Sequence, residues 1–308
     1  MYQQIVKNKR LSYFLIVIVT ALLVVLGYAI GFAIGIGWFG LAIALAIAIG
    51  LGLASYYKGD AMVLAVSRAQ PVTHDQAPQL YNVVEEMSIA SGNPVPAVYI
   101  INDPAPNAFA TGRNPEHSSI AVTSGLLEKM NREELQGVIA HEMSHVRNYD
   151  ILFATLVGIM VGAIALMADF FLRWSFFGGA RRSNNNDNGA LGLILLVLAL
   201  VMAILAPIAA RLVQLAISRR RELLADASAV QLTRDPNGLA DALQKIADDQ
   251  EVLVEANRAT AHLYIAQPIK KFGERSRGLF DTHPPIQERI KILRAMAHEG
   301  MAPTSGAA

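Results

Sequence analysis

Four long apolar segments constrain the fold of this chain more than any other feature. They cover residues 11–36, 38–56, 151–168 and 191–210, and each approaches the roughly 20 residues that a helix needs to cross a bilayer. Hydrophobic residues make up 53% of the chain and the mean hydropathy is +0.37, which is more than a soluble domain needs. The sequence therefore predicts a multi-pass membrane protein whose four membrane helices form two hairpins.

The apolar segments divide the chain into five parts. We predict an N-terminal transmembrane hairpin at residues 1–57, a soluble part at 58–150, a second hairpin at 151–217, a second soluble part at 218–301 and a disordered tail at 302–308. The second hairpin either spans the bilayer or re-enters it from one side. In both cases the chain returns to the side that it left, so the two soluble parts can form one domain.

Charged residues indicate which side that is. Lys7, Lys9 and Arg10 precede the first hairpin and Lys58 follows it, so the positive-inside rule places both ends in the cytoplasm. The run Arg219 to Arg221 agrees with this orientation, whereas arginines in the loop of the second hairpin weaken it. A net charge of +1 gives no reason to expect a nucleic acid partner. Because the chain has no cysteine, any metal ion would need His, Asp or Glu ligands.

The first soluble part alternates helical and strand patterns. Its apolar spacing predicts one helix and two strands, at residues 78–91, 95–101 and 119–123. Asn131 is a good N-cap with Glu134 three positions later, so a further helix should begin there. The expected domain is helical with a small sheet.

The motif H-E-x-x-H, from His141 to His145, lies within this capped helix. Positions four apart share a helix face, so both imidazoles can reach one ion while Glu142 lies beside it. Polar and charged residues flank the motif on both sides, which places it in water at the membrane surface rather than inside the bilayer. Two surface histidines on a helix are the plainer alternative.

A catalytic zinc site has three protein ligands and a water molecule, so a third ligand is needed. Asn148 and Ile151 exclude the extended motif that would supply glycine and a third histidine at those positions. Glu222, in a later helical stretch, is the predicted third ligand. Asp226 lies on the same helix face and can accept a proton from a ligating histidine. Taken alone, Glu222 could also be a surface residue in a charged cluster.

This ligand set predicts hydrolysis. Two neutral imidazoles and one carboxylate leave a divalent site near +1, which lowers the pKa of bound water toward about 7 and polarises a carbonyl group. Glu142 would take the proton and pass it to the leaving amine. Zinc suits these ligands, although imidazole and carboxylate also accept cobalt or manganese.

These residues resemble those of the HtpX heat-shock proteases of bacterial inner membranes, which are related to the CAAX prenyl-protein endopeptidases. The resemblance covers the apolar segments, the helix from His141 to His145, and Glu222 with Asp226. It implies a mainly α-helical fold with a small β-sheet, in a multi-pass membrane protein with a cytoplasmic zincin-like (gluzincin) domain. It also implies one zinc ion per chain and Glu142 as the catalytic base. The implied partners are the lipid bilayer and protein substrates, namely misfolded or damaged membrane proteins cleaved in stress-linked quality control.

Two further stretches are similar to features of that family. Asn107, Ala108 and Phe109 resemble a segment that forms an edge strand for the substrate backbone, and an ordinary loop is the alternative. His283, which precedes two prolines, and Arg289 resemble a C-terminal element whose histidine contacts the substrate or its oxyanion, and a structural histidine is the alternative. Both stretches are therefore expected to bind substrate.

Two other classes of protein are possible for such a chain. An inactive membrane scaffold would show a substitution of Glu142 or of a predicted ligand, and all of them are present. A four-span transporter would carry ionisable residues or broken helices within its membrane segments, and only Pro207 indicates such a break. The sequence favours the protease and gives no indication of an oligomeric state.

Overall fold

The structure is a computed structural model that describes residues 6, 8–14, 16–18, 21, 24, 28, 38–159, 219–251, 253, 260–266 and 284–301. The predicted membrane segment at 191–210 and the predicted tail at 302–308 lie outside the described residues. The segments at 11–36 and 151–168 are described only in part. The predicted pair of hairpins is therefore represented here mainly by the segment that begins at Trp38.

That segment is a single helix, α1, which spans Trp38–Val66. Its 29 residues correspond to about 43 Å of helix, longer than the roughly 30 Å of a hydrocarbon core. The stretch Leu41–Val66 is long and apolar enough to cross a membrane, by length and composition alone. Large apolar side chains along α1 are exposed, whereas Val63 and Leu64 are buried in the domain that follows. The helix thus continues past the predicted end at residue 56, and one helix joins the apolar segment to the domain.

The domain contains a four-stranded sheet. The strands are β1 at Gln70–Pro71, β2 at Ala97–Ile101, β3 at Ala108–Asn114 and β4 at His117–Thr123. Their order is β1-β2-β4-β3, with β2 and β4 parallel and the other neighbours antiparallel. The two strands predicted from the sequence correspond to β2 and β4. The sheet ends at β3, which is thus an edge strand within the described part of the chain.

Helices surround the sheet and the site. They are α2 at Pro78–Ser91, α3 at Ser124–Lys129, α4 at Arg132–Arg147, α5 at Asp150–Ile159, α6 at Arg219–Thr233, α7 at Pro236–Asp248 and α8 at Ile286–Met301. Helix α4 is central, because it packs against α2, α6, α7 and β3. The helix predicted at 78–91 is confirmed as α2.

The sheet buries apolar residues on both faces. Successive strand residues point to opposite sides, so Ile120 and Val122 face the core formed with α2 and α4. Ala121 points the other way and packs with Phe109 and with Leu64 at the end of α1. The end of α1 is thereby part of a core, which fixes the apolar helix to the sheet.

A capping box starts α4, as the sequence predicts. The Asn131 side chain accepts a hydrogen bond from the Glu134 N–H at 2.8 Å, and the Glu134 carboxylate accepts one from the Asn131 N–H at 2.8 Å. Two backbone donors that have no partner within the helix are thus satisfied. Lys245 of α7 also contacts the Glu134 carboxylate at 2.7 Å, which ties α7 to the start of α4.

Gly137 lets α7 approach α4 closely. A Cβ atom at this position would lie 2.7 Å from the Leu239 backbone nitrogen and 2.8 Å from its Cα. These atoms belong to backbone and cannot rotate away. A side chain at residue 137 would therefore push apart the helix that carries the H-E-x-x-H motif and the helix that supports it.

We predict that Gly137→Ala destabilises the protein. Overpacking against backbone costs about 1–3 kcal/mol, and the better helix propensity of alanine returns about 1 kcal/mol. Thermal unfolding in detergent should therefore begin at a lower temperature than for wild type. Gly50→Ala is the matched control, since Gly50 is also helical and has nothing within 4 Å of its Cβ position. Equal midpoints for the two variants would contradict the prediction.

Candidate metal centre

The H-E-x-x-H helix divides its residues between the core and the site. Leu135, Val138 and Ile139 pack in the core, while His141 and His145 turn toward α6. Glu222 lies in the first turn of α6 and is 5% exposed. The crossing of α4 and α6 therefore brings the three predicted ligands together, although about 80 positions of sequence lie between them.

The ligand atoms lie at distances that fit one ion. The Nε2 atoms of His141 and His145 are 3.2 Å apart, and the Glu222 carboxylate oxygens lie 3.6 and 3.7 Å from them. Metal–ligand distances of about 2.0–2.2 Å in a tetrahedral site separate ligands by about 3.3–3.6 Å. One atom of each residue lies within 4.8 Å of the others, so this cluster could hold a metal ion.

Each histidine is oriented by a carboxylate on its other nitrogen. The Nδ1 atom of His141 is 2.9 Å from Asp226 Oδ1, and the Nδ1 atom of His145 is 3.1 Å from Asp150 Oδ2. A ring that donates its Nδ1–H to a carboxylate keeps a lone pair on Nε2 when it is neutral. The two Nε2 atoms face each other at 3.2 Å, so either a proton shared by the rings or a metal cation between them offsets the repulsion of two lone pairs.

The pKa values of the histidines reflect the same surplus of negative charge. Burial lowers the pKa of His145, but Asp150 and Glu222 outweigh it and raise the pKa to about 9. Burial also lowers the pKa of His141, and its hydrogen bonds to Asp226 and Glu222 raise it above the ordinary value. The site thus stabilises positive charge at the position where the two rings meet.

Glu142 lies beside this position. Burial raises the pKa of Glu142 above its ordinary value, and the charges of the two histidines offset this only in part. Its Oε1 atom is buried without a hydrogen-bond partner among the described residues. A buried polar atom without a partner is costly, so it indicates a group that meets water or substrate in the working protein.

Arg289 supports the site from behind. It is 1% exposed and donates from Nε and Nη2 to the two oxygens of Asp226, at 2.8 and 2.7 Å. Burial raises the pKa of Asp226, but Arg289 and His141 outweigh this and lower it to about 2. Arg289 also donates to the Ile265 carbonyl at 2.9 Å. The sequence predicts substrate contact for Arg289, whereas the structure places its guanidinium on Asp226, because that buried carboxylate needs a partner.

A small cavity of about 40 Å³ opens onto the metal position. Its walls are built by Ala110, His141, Glu142, His145, Asp150, Ile151, Ala154, Arg221, Glu222 and residues 262–265. A cavity of this size holds an ion and a few water molecules.

The segment 260–266 lies along β3 and closes one side of this cavity. The Ile265 N–H donates to the Ala108 carbonyl at 2.9 Å, and the Asn107 side chain donates to the Ala266 carbonyl at 3.0 Å. Phe109 is fully buried against Tyr264, with ring centroids 5.0 Å apart. The predicted strand is therefore an edge strand, and part of its outer edge is covered by this segment.

Several residues of the site carry no role in the prediction from sequence. Asp150 follows His145 by five positions, directly after the end of α4, and a second acidic residue so close to the motif was a usable signal. The segment 260–266 carries no motif that indicates its place beside the ligands. His283, predicted to contact substrate, lies outside the described residues.

Comparison with known proteins agrees with this geometry. A model of Peptidase family M48 matches residues 74–297, which include α4, α6 and every residue of the metal cluster. The chain belongs to peptidase family M48, and its class is metalloprotease.

Individual relatives indicate a narrower group of proteases within the family. A protein named "Protease HtpX homolog" from Streptococcus uberis is 45% identical over 298 residues, covering 96% of this chain and 100% of that protein. One with the same name from Caldanaerobacter subterraneus is 47% identical over 298 residues, covering 96% of this chain and 98% of its own. The resemblance to HtpX-type proteases is thereby confirmed. A chain of S. mikatae Ste24p, in a crystal structure, is 16% identical with a TM-score of 0.48, covering 95% of this chain and 67% of its own.

We predict that Glu222→Gln removes most of the metal affinity. The amide is neutral and leaves two facing imidazoles with no anionic ligand, so the loss should exceed the 10- to 100-fold that changes in outer partners cost. Chelator competition and metal analysis of the purified protein measure it. Glu251→Gln, an exposed change of the same chemistry, should match wild type. Wild-type affinity in Glu222→Gln would remove it from the ligand set.

Proposed function

We propose that the protein is a membrane-bound zinc endopeptidase in which His141, His145 and Glu222 hold the ion and Glu142 is the general base. The observation that carries this proposal is the cluster of two facing Nε2 atoms, 3.2 Å apart, with the Glu222 carboxylate oxygens 3.6 and 3.7 Å from them, which could hold a metal ion. Two imidazoles and a carboxylate are ligands that zinc accepts in catalytic sites. When bound, zinc would polarise a peptide carbonyl and lower the pKa of a water molecule in the site.

Glu142 is the residue that moves the proton. Its raised pKa brings it closer to neutrality, where a carboxylate can take a proton from water and return it to a leaving amine. The unpartnered Oε1 atom leaves one oxygen of Glu142 available for that transfer. Asp226 and Asp150 keep the Nδ1–H of each histidine engaged, so both Nε2 lone pairs point to the ion.

The substrate is proposed to be an extended polypeptide that pairs with β3. Edge strands bind peptides through backbone hydrogen bonds, and β3 leads along the cavity to Ala110, which contacts Glu142 through its backbone. A peptide in this position would replace the hydrogen bond between Ile265 and Ala108. Only chains without stable structure can enter in that form. Misfolded or damaged membrane proteins are therefore the substrate class that we propose.

The site is proposed to face the cytoplasm at the bacterial inner membrane. Support comes from Lys7, Lys9 and Lys58 at the ends of the first hairpin and from the apolar surface of α1. The similarity to HtpX proteases supports a role in quality control of membrane proteins under stress. The proposed partners are thus substrate proteins and the lipid bilayer.

We predict that Glu142→Gln binds zinc but does not cleave. Glutamine keeps the shape of the side chain and cannot accept the proton, so cleavage of casein should fall by about 10²- to 10⁴-fold. The measurements are zinc content and proteolysis of protein purified in detergent with a chelator and then reloaded with zinc. Glu133→Gln lies on the same helix, is exposed, and should behave as wild type.

Three outcomes separate the possibilities. Zinc in both proteins with cleavage by wild type alone supports the assigned base and ligands. Zinc in wild type without cleavage of any unfolded protein would favour an inactive scaffold. Absence of zinc from wild type under all loading conditions would show that the assigned centre is wrong.

A further inference from the structure

Asn8 is a buried polar residue that lies far from the metal centre in sequence and close to it in space. It belongs to the helical residues 8–14 that precede and begin the first apolar segment, and it is fully buried. Its Nδ2 atom donates to the Asn148 carbonyl at 2.9 Å and to Asp150 Oδ1 at 2.5 Å. Asn148 follows the last residue of α4 and Asp150 is the first residue of α5, so both acceptors lie at the junction directly after the H-E-x-x-H helix.

A residue that served only to anchor this segment would not need an amide. Burying an amide is unfavourable unless its hydrogen bonds are formed, and an apolar side chain would fill the same space without that requirement. The Nδ2 atom of Asn8 directs its donors at one carbonyl and one carboxylate, while its Oδ1 atom is buried without a hydrogen-bond partner among the described residues. The choice of residue is therefore explained by what the donors contact.

Asp150 connects Asn8 to the metal position. Its Oδ2 atom contacts Nδ1 of His145 at 3.1 Å, while Oδ1 receives the hydrogen bond from Asn8 and, at 3.5 Å, one from Arg221. Donors on Oδ1 fix the plane of the carboxylate, and this plane decides where Oδ2 points. The position of Oδ2 sets the orientation of the His145 ring. The ring orientation in turn sets the direction of the Nε2 lone pair.

The two ligand histidines are thus held in comparable ways. Asp226, which orients His141, is fixed by two hydrogen bonds from Arg289. Asp150, which orients His145, is fixed by Arg221 and by Asn8. Arg289 and Arg221 come from the protease domain, whereas Asn8 comes from the start of the N-terminal hairpin.

A second contact fixes the same segment on the same turn. The Lys9 ammonium lies 4.0 Å from the centroid of the Tyr149 ring, and Tyr149 has a φ angle of 59°, which is uncommon for a residue with a side chain. The turn that presents Asp150 is thus contacted by two consecutive residues of the N-terminal segment.

We propose that Asn8 is a positioning residue of the metal centre: through Asp150 it sets the orientation of His145, so that the N-terminal segment completes the site. The inference rests on the proposed metal site and goes beyond it, because it assigns a role in metal retention to a residue outside the protease domain. It predicts that metal retention depends on the docking of residues 8–14.

The test uses the full-length protein in detergent and zinc alone as the ligand. Asn8→Asp keeps the shape of the side chain, removes both donors and places a second carboxylate opposite Asp150. We expect zinc to dissociate about 10-fold faster into a chromogenic chelator, at the lower end of the effect of outer partners. The visible absorption of the cobalt-substituted protein should change, and kcat on casein should fall while KM stays the same.

A charge exchange and a matched control make the test specific. Asn8→Asp combined with Asp150→Asn restores a donor facing a carboxylate, with an amide oxygen left for His145, but not the bonds to the Asn148 carbonyl and from Arg221, so it should recover part of the zinc retention that Asn8→Asp loses. Ser12→Ala removes the hydrogen bond from Ser12 to the Asn8 carbonyl, within the same buried segment. It should retain zinc as wild type does, because Ser12 has no contact with Asp150 in the described structure.

Stability measurements keep the proposal falsifiable if Asn8→Asp does not fold. Asn8→Ala adds no charge, and for this variant we expect a smaller zinc-induced rise in the unfolding temperature than for wild type. Equal losses with and without zinc would indicate a purely structural role and would overturn the proposal. Wild-type zinc dissociation and cobalt spectrum in Asn8→Asp would also overturn it, and so would an equal loss in Ser12→Ala. If wild type itself retains no zinc, the proposed function is wrong. That result differs from the loss of zinc in an Asn8 variant alone.

Discussion

The contact on which the structure depends is the approach of two imidazole Nε2 atoms to 3.2 Å. When both rings are neutral and each donates its Nδ1–H to a carboxylate, the two Nε2 lone pairs face each other and repel. Three devices hold them together: the α4 helix that carries both, Asp226 on one side and Asp150 on the other. The fold therefore holds the ligands in an arrangement that a bound cation stabilises. The metal site is in this sense preorganised.

The same arrangement concentrates charge in a buried volume. Glu222, Asp226, Asp150 and the Glu142 side chain are nearly inaccessible, and Arg289 and Arg221 lie behind them. An isolated buried carboxylate is strongly unfavourable, but here each ligand or orienting carboxylate has a positively charged or hydrogen-bonding partner. Glu142 is the exception at Oε1, and it is also the residue to which we assign proton transfer. The partnered carboxylates thus stabilise the buried site, whereas Glu142 is the carboxylate to which proton transfer is assigned.

The sequence predicted the local parts of this structure well. The capping box of Asn131 and Glu134 and the spacing of His141 and His145 depend on one helix only, so periodicity was sufficient. Glu222 was predicted from ligand counting and from the even number of membrane crossings before it, and the structure places its carboxylate beside both rings.

The contacts that the sequence did not reveal join distant segments without a periodic signal. The docking of Asn8 on Asp150 and of Ile265 on Ala108 are examples, because neither pair belongs to a regular element shared by both partners. The helix α1 extends past the predicted apolar segment for a different reason. Lys58 and Asp60 mark the end of the apolar composition, but no proline follows to end the helix, and it continues to Val66. Composition changes where the solvent changes, whereas a helix ends where its backbone hydrogen bonds end.

The continuity of α1 has a mechanical consequence. Its last turns are embedded in the same core as Phe109 of the edge strand, and there is no loop between them and the apolar part of the helix. In the proposed orientation, the apolar part of α1 lies in the lipid. The last turns of the same helix hold the domain, with no loop in between. The height of Glu142 above the bilayer is then a fixed length. If α1 spans the bilayer as proposed, a membrane-bound substrate would reach Glu142 only after enough of its chain has left the lipid to cover that distance.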